Sequence, residues 1–151
     1  MEKLINISSK YILNLKNPVI LFNRVTLFVV FFWFGVLKVM TLSPAEGLVT
    51  HLHSLTLAPF VSINTFLIFL GLFECLIGAL WLMPRFTKFA LILFSIHIFT
   101  TFLPLVFLPQ DTWQNSFVLT LTGQYIIKNL VLISCAFTVY VYRKNNPDTI
   151  Q

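Results

Sequence analysis

Four apolar runs, each long enough to cross a bilayer, leave this chain only one class of fold. They cover residues 22–40, 62–83, 86–107 and 123–142, against the roughly 20 residues that span about 30 Å of hydrocarbon. Inside lipid every backbone N–H and C=O has to be bonded within its own segment, so runs of this length are helices. The expected fold is therefore all-α, a single membrane domain over residues 1–151 built as a four-helix bundle. The breaks agree with this division. Pro44 and Gly47 follow the first run, Pro59 precedes the second and Pro84 closes it, Pro104 and Pro109 interrupt the end of the third, and Arg143 and Lys144 end the fourth. With 58% hydrophobic and only 10% charged residues, the chain takes lipid as its main solvent. The connection between the second and third runs is so short that those helices must be antiparallel neighbours. The first and third connections are longer and rich in apolar residues such as Leu55, Phe60, Leu108, Trp113 and Phe117. They are expected to pack as a lid over one end of the bundle.

The formal charge of +5 does not point to nucleic acid, because its placement is topological. Lys3, Lys10, Lys16, Arg24, Arg85, Lys88, Arg143 and Lys144 fall at or before the head of the first span, at the junction of spans two and three, or after span four. Glu46 and Asp111 are the only charges in the first and third loops. The excess of Lys and Arg on one side predicts cytoplasmic N- and C-termini. Ahead of the first span, Lys3, Asn6, Lys10, Asn14 and Asn17 recur at helical spacing opposite Leu4, Ile5, Tyr11, Ile12 and Leu15. This segment reads as an interfacial amphipathic helix, with an ordinary terminal segment as the alternative.

Four ionisable side chains interrupt the spans, one per helix: Lys38, Glu74, His97 and Lys128. A charge held at depth costs a few kcal/mol, so such groups normally face the interior and pair with one another. Lys38 lies near the outer end of its helix, where a snorkelling stem is the competing reading. Lys128, bracketed by Gln124, Tyr125 and Asn129, is expected to face inward. Gly71 and Gly78 flank Glu74 and allow a helix to approach closely there. The expected partner of Glu74 is a lysine or His97. Two functional readings stay open: a buried ion pair that only orders the helices, or a polar pocket for a quinone or another amphipathic anion. His97 admits the roles of core residue, proton relay and haem ligand, and haem would need a second axial ligand that no other span offers. His51 and His53 would share a metal only on a strand, with Glu46 as the one available third ligand, so no metal is expected. Cys75 and Cys135 form no Cys-x-x-Cys pair and read as small buried hydrophobes. Motifs for nucleotide, zinc-protease or serine-hydrolase chemistry do not occur.

Several short motifs carry a resemblance. They are Trp33-Phe34-Gly35-Val36-Leu37-Lys38, Ala45-Glu46-Gly47, Glu74 with Ile77-Gly78, and Gly123-Gln124-Tyr125-Ile126-Ile127-Lys128-Asn129. Together they resemble the DoxX-like family of small bacterial membrane proteins, and within it the reactive chlorine resistance protein C group. The resemblance implies a bacterial inner-membrane four-helix protein, linked to quinone oxidoreduction or oxidative stress. It also implies Lys38, Glu46, Glu74 and Lys128 as the family's polar positions. The first loop departs from the family pattern at His51 and His53. Lys38, Glu46, Glu74, His97, Gln124, Tyr125, Lys128 and Asn129 are thus the candidate ligand-binding residues. Quinone is the candidate cofactor, and the candidate partners are the lipid bilayer, a redox protein or further copies of the chain. The chain is not expected to be catalytic alone, although it fits as a subunit of a quinone-linked oxidoreductase. An assembly or stress protein, or a small anion permease, would be the alternative.

The topology has a direct test. A fluorescent protein fused after the C-terminus is expected to fluoresce, and alkaline phosphatase fused after Gly47 or Asp111 to be active. The reverse pattern would invert the orientation.

Overall fold

The structure, a computed structural model, describes residues 2–146, and the side chains of residues 18–146. The amphipathic face expected on the N-terminal segment falls outside the described side chains. Four long helices carry the architecture: α1 (Glu2–Val39), α3 (Ile63–Leu82), α4 (Thr87–Phe102) and α7 (Leu121–Asn145). Between them lie α2 (Glu46–Thr56), α5 (Pro104–Phe107), α6 (Pro109–Thr112) and a hairpin of β1 (Trp113–Asn115) and β2 (Val118–Leu119). The hairpin is a small departure from an all-α fold. It sits in the third loop, where Thr120 then caps α7 by accepting from the Gly123 amide at 3.1 Å.

The segments long and apolar enough to cross a membrane are Pro18–Val39, Ile63–Leu82, Pro84–Phe107 and Leu121–Asn145, close to the sequence-based boundaries. Helix α1 packs on α3 and α7, and α4 packs on the same two helices, so the four close into a ring. Its core is aromatic and aliphatic, with Leu27, Ile77, Trp81, Phe94 and Val139 fully buried or nearly so. Trp81 meets Phe94 edge-on at 5.8 Å, and Phe31 meets Phe94 at 5.4 Å. The outer surface of the ring is the reverse of a water-soluble protein's. Val29, Trp33, Phe69, Leu72, Phe99 and Val131 are all exposed, and no span has more than 39% of its apolar window buried. So much contiguous apolar surface suits lipid contact, as the length and composition of the four spans do.

Thr41, and not Pro44 or Gly47, ends α1. Its φ of 55° lies in the left-handed region. The Thr41 amide bonds the Lys38 carbonyl at 3.2 Å and the Leu42 amide bonds the Leu37 carbonyl at 2.9 Å, which together close the helix C-terminus. Gly47 instead lies in the first turn of α2. The first loop is therefore mostly helix, and its His53 is buried toward the bundle.

Helices α1 and α3 touch backbone to backbone. A Cβ added at Gly35 would lie 2.6 Å from the Gly71 carbonyl oxygen and 2.7 Å from Cys75 Sγ, and one at Gly71 would lie 2.7 Å from the Gly35 carbonyl oxygen. Small residues at such a crossing let helices associate in lipid, where apolar surface gives no drive to do so. Gly35→Ala is accordingly expected to cost about 1–3 kcal/mol through overpacking, read as a lower thermal midpoint of the helical signal in detergent. Gly47→Ala is the control, since nothing lies within 4 Å of its Cβ position.

Candidate functional site

The buried stripe of α1 runs through Ile20, Arg24, Leu27, Phe31, Gly35 and Lys38, steps of three and four residues that keep one face toward the ring interior. Lys38 ends that stripe at 7% exposure. On α3 the matching stripe includes Leu67, Gly71, Glu74, Gly78 and Trp81, with Glu74 at 5% exposure. Because Gly35 lies against Gly71 and Cys75, the antiparallel register sets Lys38 about one turn beyond the level of Glu74. Helical side chains lean toward the N-terminus of their own helix, so these two lean toward each other. They meet: Lys38 Nζ donates to Glu74 Oε2 at 2.7 Å and to Oε1 at 2.9 Å.

Helix α4 adds a third member. His97 Nε2 lies 3.1 Å from Glu74 Oε1, with His97 itself 9% exposed. A carboxylate accepts, so Nε2 carries a proton, and in the neutral imidazole Nδ1 presents its lone pair. That Nδ1 is buried and has no hydrogen-bond partner among the described residues. Phe31 stands edge-on to the imidazole at 5.5 Å and Phe73 lies 6.1 Å away, so aromatic rings wall the site. With a neutral imidazole the three side chains sum to zero charge, the condition for holding them together in a dry place. Of the three N–H groups on Lys38, two are directed at Glu74. The cluster thus retains a donor on one side and an acceptor on the other.

The remaining candidates do not join it. Lys128, expected to face inward, is exposed, and its ammonium sits 4.7 Å from the centre of the Tyr125 ring. The reason is angular: the buried face of α7 is Gly123, Ile126, Ala136 and Val139, and a residue two after Ile126 points about 200° away from it. Gln124 and Tyr125 are exposed as well, and Asn129 is half-buried. Glu46 is half-buried in the first turn of α2, where a carboxylate suits the positive helix end.

His51 and His53 lie on a helix, not a strand, so they point to opposite sides. His53 is buried with its ring 5.3 Å from that of Phe66, while His51 is exposed and pairs with Asp111 at 2.7 Å. An open cleft of about 220 Å³ lies beside this pair, lined by Gly47, Leu48, His51, Asp111 and Thr122. Among the described residues no cluster of three His, Cys, Asp or Glu side chains is placed to hold a metal. Cys75 and Cys135 are free and half-buried, and the Cys75 thiol lies 3.6 Å from the Phe32 carbonyl oxygen.

Sequence reasoning missed Arg24. Counted there among the topological charges, it is 6% exposed and donates to the Trp81 carbonyl at 2.8 Å and to Thr87 Oγ1 at 2.7 Å. Thr87 in turn donates to the Pro84 carbonyl at 2.7 Å. The signal was present in the spacing, since Arg24 stands four residues after Ile20 and three before Leu27 on the stripe that ends at Lys38.

Removing one member of a buried ion pair strands the other. Glu74→Gln is expected to lower stability by about 3–5 kcal/mol, and the double variant Lys38→Met/Glu74→Leu to lower it less. Lys128→Met is expected to leave the thermal midpoint unchanged. Unfolding of detergent-purified variants checks all three.

Comparison of the chain with family models, with curated proteins and with solved structures yields no match.

Proposed function

We propose that this chain is a DoxX-like, multi-pass protein of the bacterial inner membrane whose Lys38–Glu74–His97 cluster binds a quinone-type ligand and exchanges protons with it. The single observation that carries the reading is the unpartnered His97 Nδ1, buried beside a carboxylate already tied to a lysine. Buried polar atoms are almost always bonded, so an exception calls for a partner. A quinol hydroxyl supplies the missing donor to Nδ1. A quinone carbonyl takes the Lys38 N–H that Glu74 leaves over. The head group would then lie among Phe31 and Phe73, as an aromatic ligand in an apolar site does.

Proton movement follows from the same atoms. A hydroxyl proton accepted at Nδ1 is matched by release of the Nε2 proton to Glu74, which becomes a neutral carboxyl group beside the Lys38 ammonium. Electrons play no part in this chain's own groups, since it carries no close cysteine pair. They pass to a redox partner protein, which makes the chain a binding subunit and not an enzyme by itself. The cytoplasmic termini expected from the Lys and Arg bias, and the short resemblance motifs around Lys38, Glu74 and Lys128, suit such a setting.

A second reading has its own support. Both Glu74 oxygens are occupied and the cluster sits beside the Gly35–Gly71 crossing, as a staple that only orders helices would. His97→Gln separates the two. The Gln amide nitrogen replaces Nε2 and keeps the bond to Glu74, whereas the Nδ1 acceptor is lost. Parent protein in nanodiscs is expected to bind a short-chain quinone saturably, one per chain, with His97→Gln at least about tenfold weaker at unchanged stability. Equal binding by parent and variant, or none by the parent, leaves the staple.

A further inference from the structure

The least apolar of the four spans is also the least enclosed. Only 17% of the α7 window is buried, against 28–39% in the other three, although α7 has the lowest hydropathy of the four. In lipid the opposite order is expected, because polar side chains cost most where acyl chains touch them. An exposed face of α7 runs in steps of three, four and seven residues through Gln124, Lys128, Val131, Ser134, Thr138 and Asn145. On α1, α3 and α4 the exposed surface carries large apolar groups such as Trp33, Phe69 and Phe99. Small and hydrogen-bonding side chains gathered on one face are what helix–helix interfaces in membranes are made of.

We propose that this face of α7 docks a transmembrane helix of a second membrane protein, one that carries an aspartate or glutamate at the depth of Lys128. Charge selects the occupant. Lys128 lies seven residues after Leu121, where α7 begins, and so about 10 Å along the helix. Its ammonium rests 4.7 Å from the centre of the Tyr125 ring, and among the described residues no carboxylate pairs with it. A ring face supplies partial charge alone, so a full counter-charge has to come from outside the chain. A second copy does not offer one. Residues 121–145 contain no Asp or Glu, and Glu74, the one acid within the four spans, is buried against Lys38 and His97. A carboxylate on a facing helix pairs with the Lys128 ammonium, and small Ser134 lets that helix come close. This inference stands apart from the quinone reading, because α7 contributes no member to the Lys38–Glu74–His97 cluster.

The test uses full-length protein in phosphatidylcholine liposomes, with a donor dye at its C-terminus. The probe is an acceptor-labelled leucine–alanine transmembrane peptide carrying one Glu about 10 Å from its end, or Gln or Leu in its place. Energy transfer to the Glu peptide is expected to saturate at one peptide per chain, with the Gln and Leu peptides at least about tenfold weaker. Lys128→Met is expected to bring the Glu peptide down to the level of the Gln peptide, and Lys128→Arg to keep it. Val131→Phe, which adds bulk to the face, is expected to weaken binding, whereas Phe137→Leu, elsewhere on the exposed surface of α7, is expected to bind like the parent. Equal binding of the three peptides would overturn the proposal. So would parent-like binding by Lys128→Met or Val131→Phe. Saturable energy transfer between two labelled copies of the parent, lost in Val131→Phe, would overturn it too and assign the face to a second copy of the chain.

Discussion

The contact between Lys38 and Glu74 sets the terms for everything around it, because two opposite charges in hydrocarbon are tolerable only while they touch. Each alone would have to be neutralised or expelled to water. Bound together at 2.7 Å, with His97 sharing one carboxylate oxygen, they form a neutral object that a helix bundle can enclose. That requirement fixes the relative positions of α1, α3 and α4, each of which contributes one member. It explains why the most intimate helix crossing, Gly35 against Gly71, stands next to the cluster. Backbones must come this close for two side chains from facing stripes to reach each other without water between them.

The α1 stripe carries a cation near either end of the span, and the two are accommodated by different chemistry. Lys38 receives a full counter-charge from α3. Arg24 receives a carbonyl from the last turn of α3 and a hydroxyl at the start of α4. The carbonyl belongs to a helix C-terminus, whose partial negative charge suits a cation. Lys38 therefore pins the end of α1 to the middle of α3, while Arg24 pins the α3–α4 turn to α1. The aromatic core of Phe31, Trp81 and Phe94 fills the distance between these two points.

Much of this was legible beforehand, for reasons that differ by residue. The four spans show in the length of the apolar runs, since lipid tolerates little else over 20 residues. Lys38, Glu74 and His97 stand out because each is an isolated ionisable group within such a run. Lys128 stood out equally and misled. Its exposure shows that a lysine set into a span need not face inward when a long stem and the Tyr125 ring accommodate it at the surface. Arg24 was hidden by the opposite error. Position near the end of a span made it look like a topological charge, although its spacing from Leu27 and Phe31 placed it on the buried face. The helix of the first loop, Glu46–Thr56, was not anticipated, because its eleven residues are too few to span a membrane and lie in a connection marked by Pro44, Gly47 and Pro59.

By itself, the order of residues determined the four long apolar helical spans and their alternating direction, because these follow from how much apolar chain must be removed from water and how short the second connection is. It also determined which side chains had to find partners. Only the tertiary structure decided which partner each one took. Pairing depends on helix register and rotation, and those are set by the meeting of Gly35 with Gly71 and of Gly78 with Phe32 across α1 and α3. A shift of one residue would rotate Lys38 about 100° away from Glu74, with no change in hydropathy to betray it.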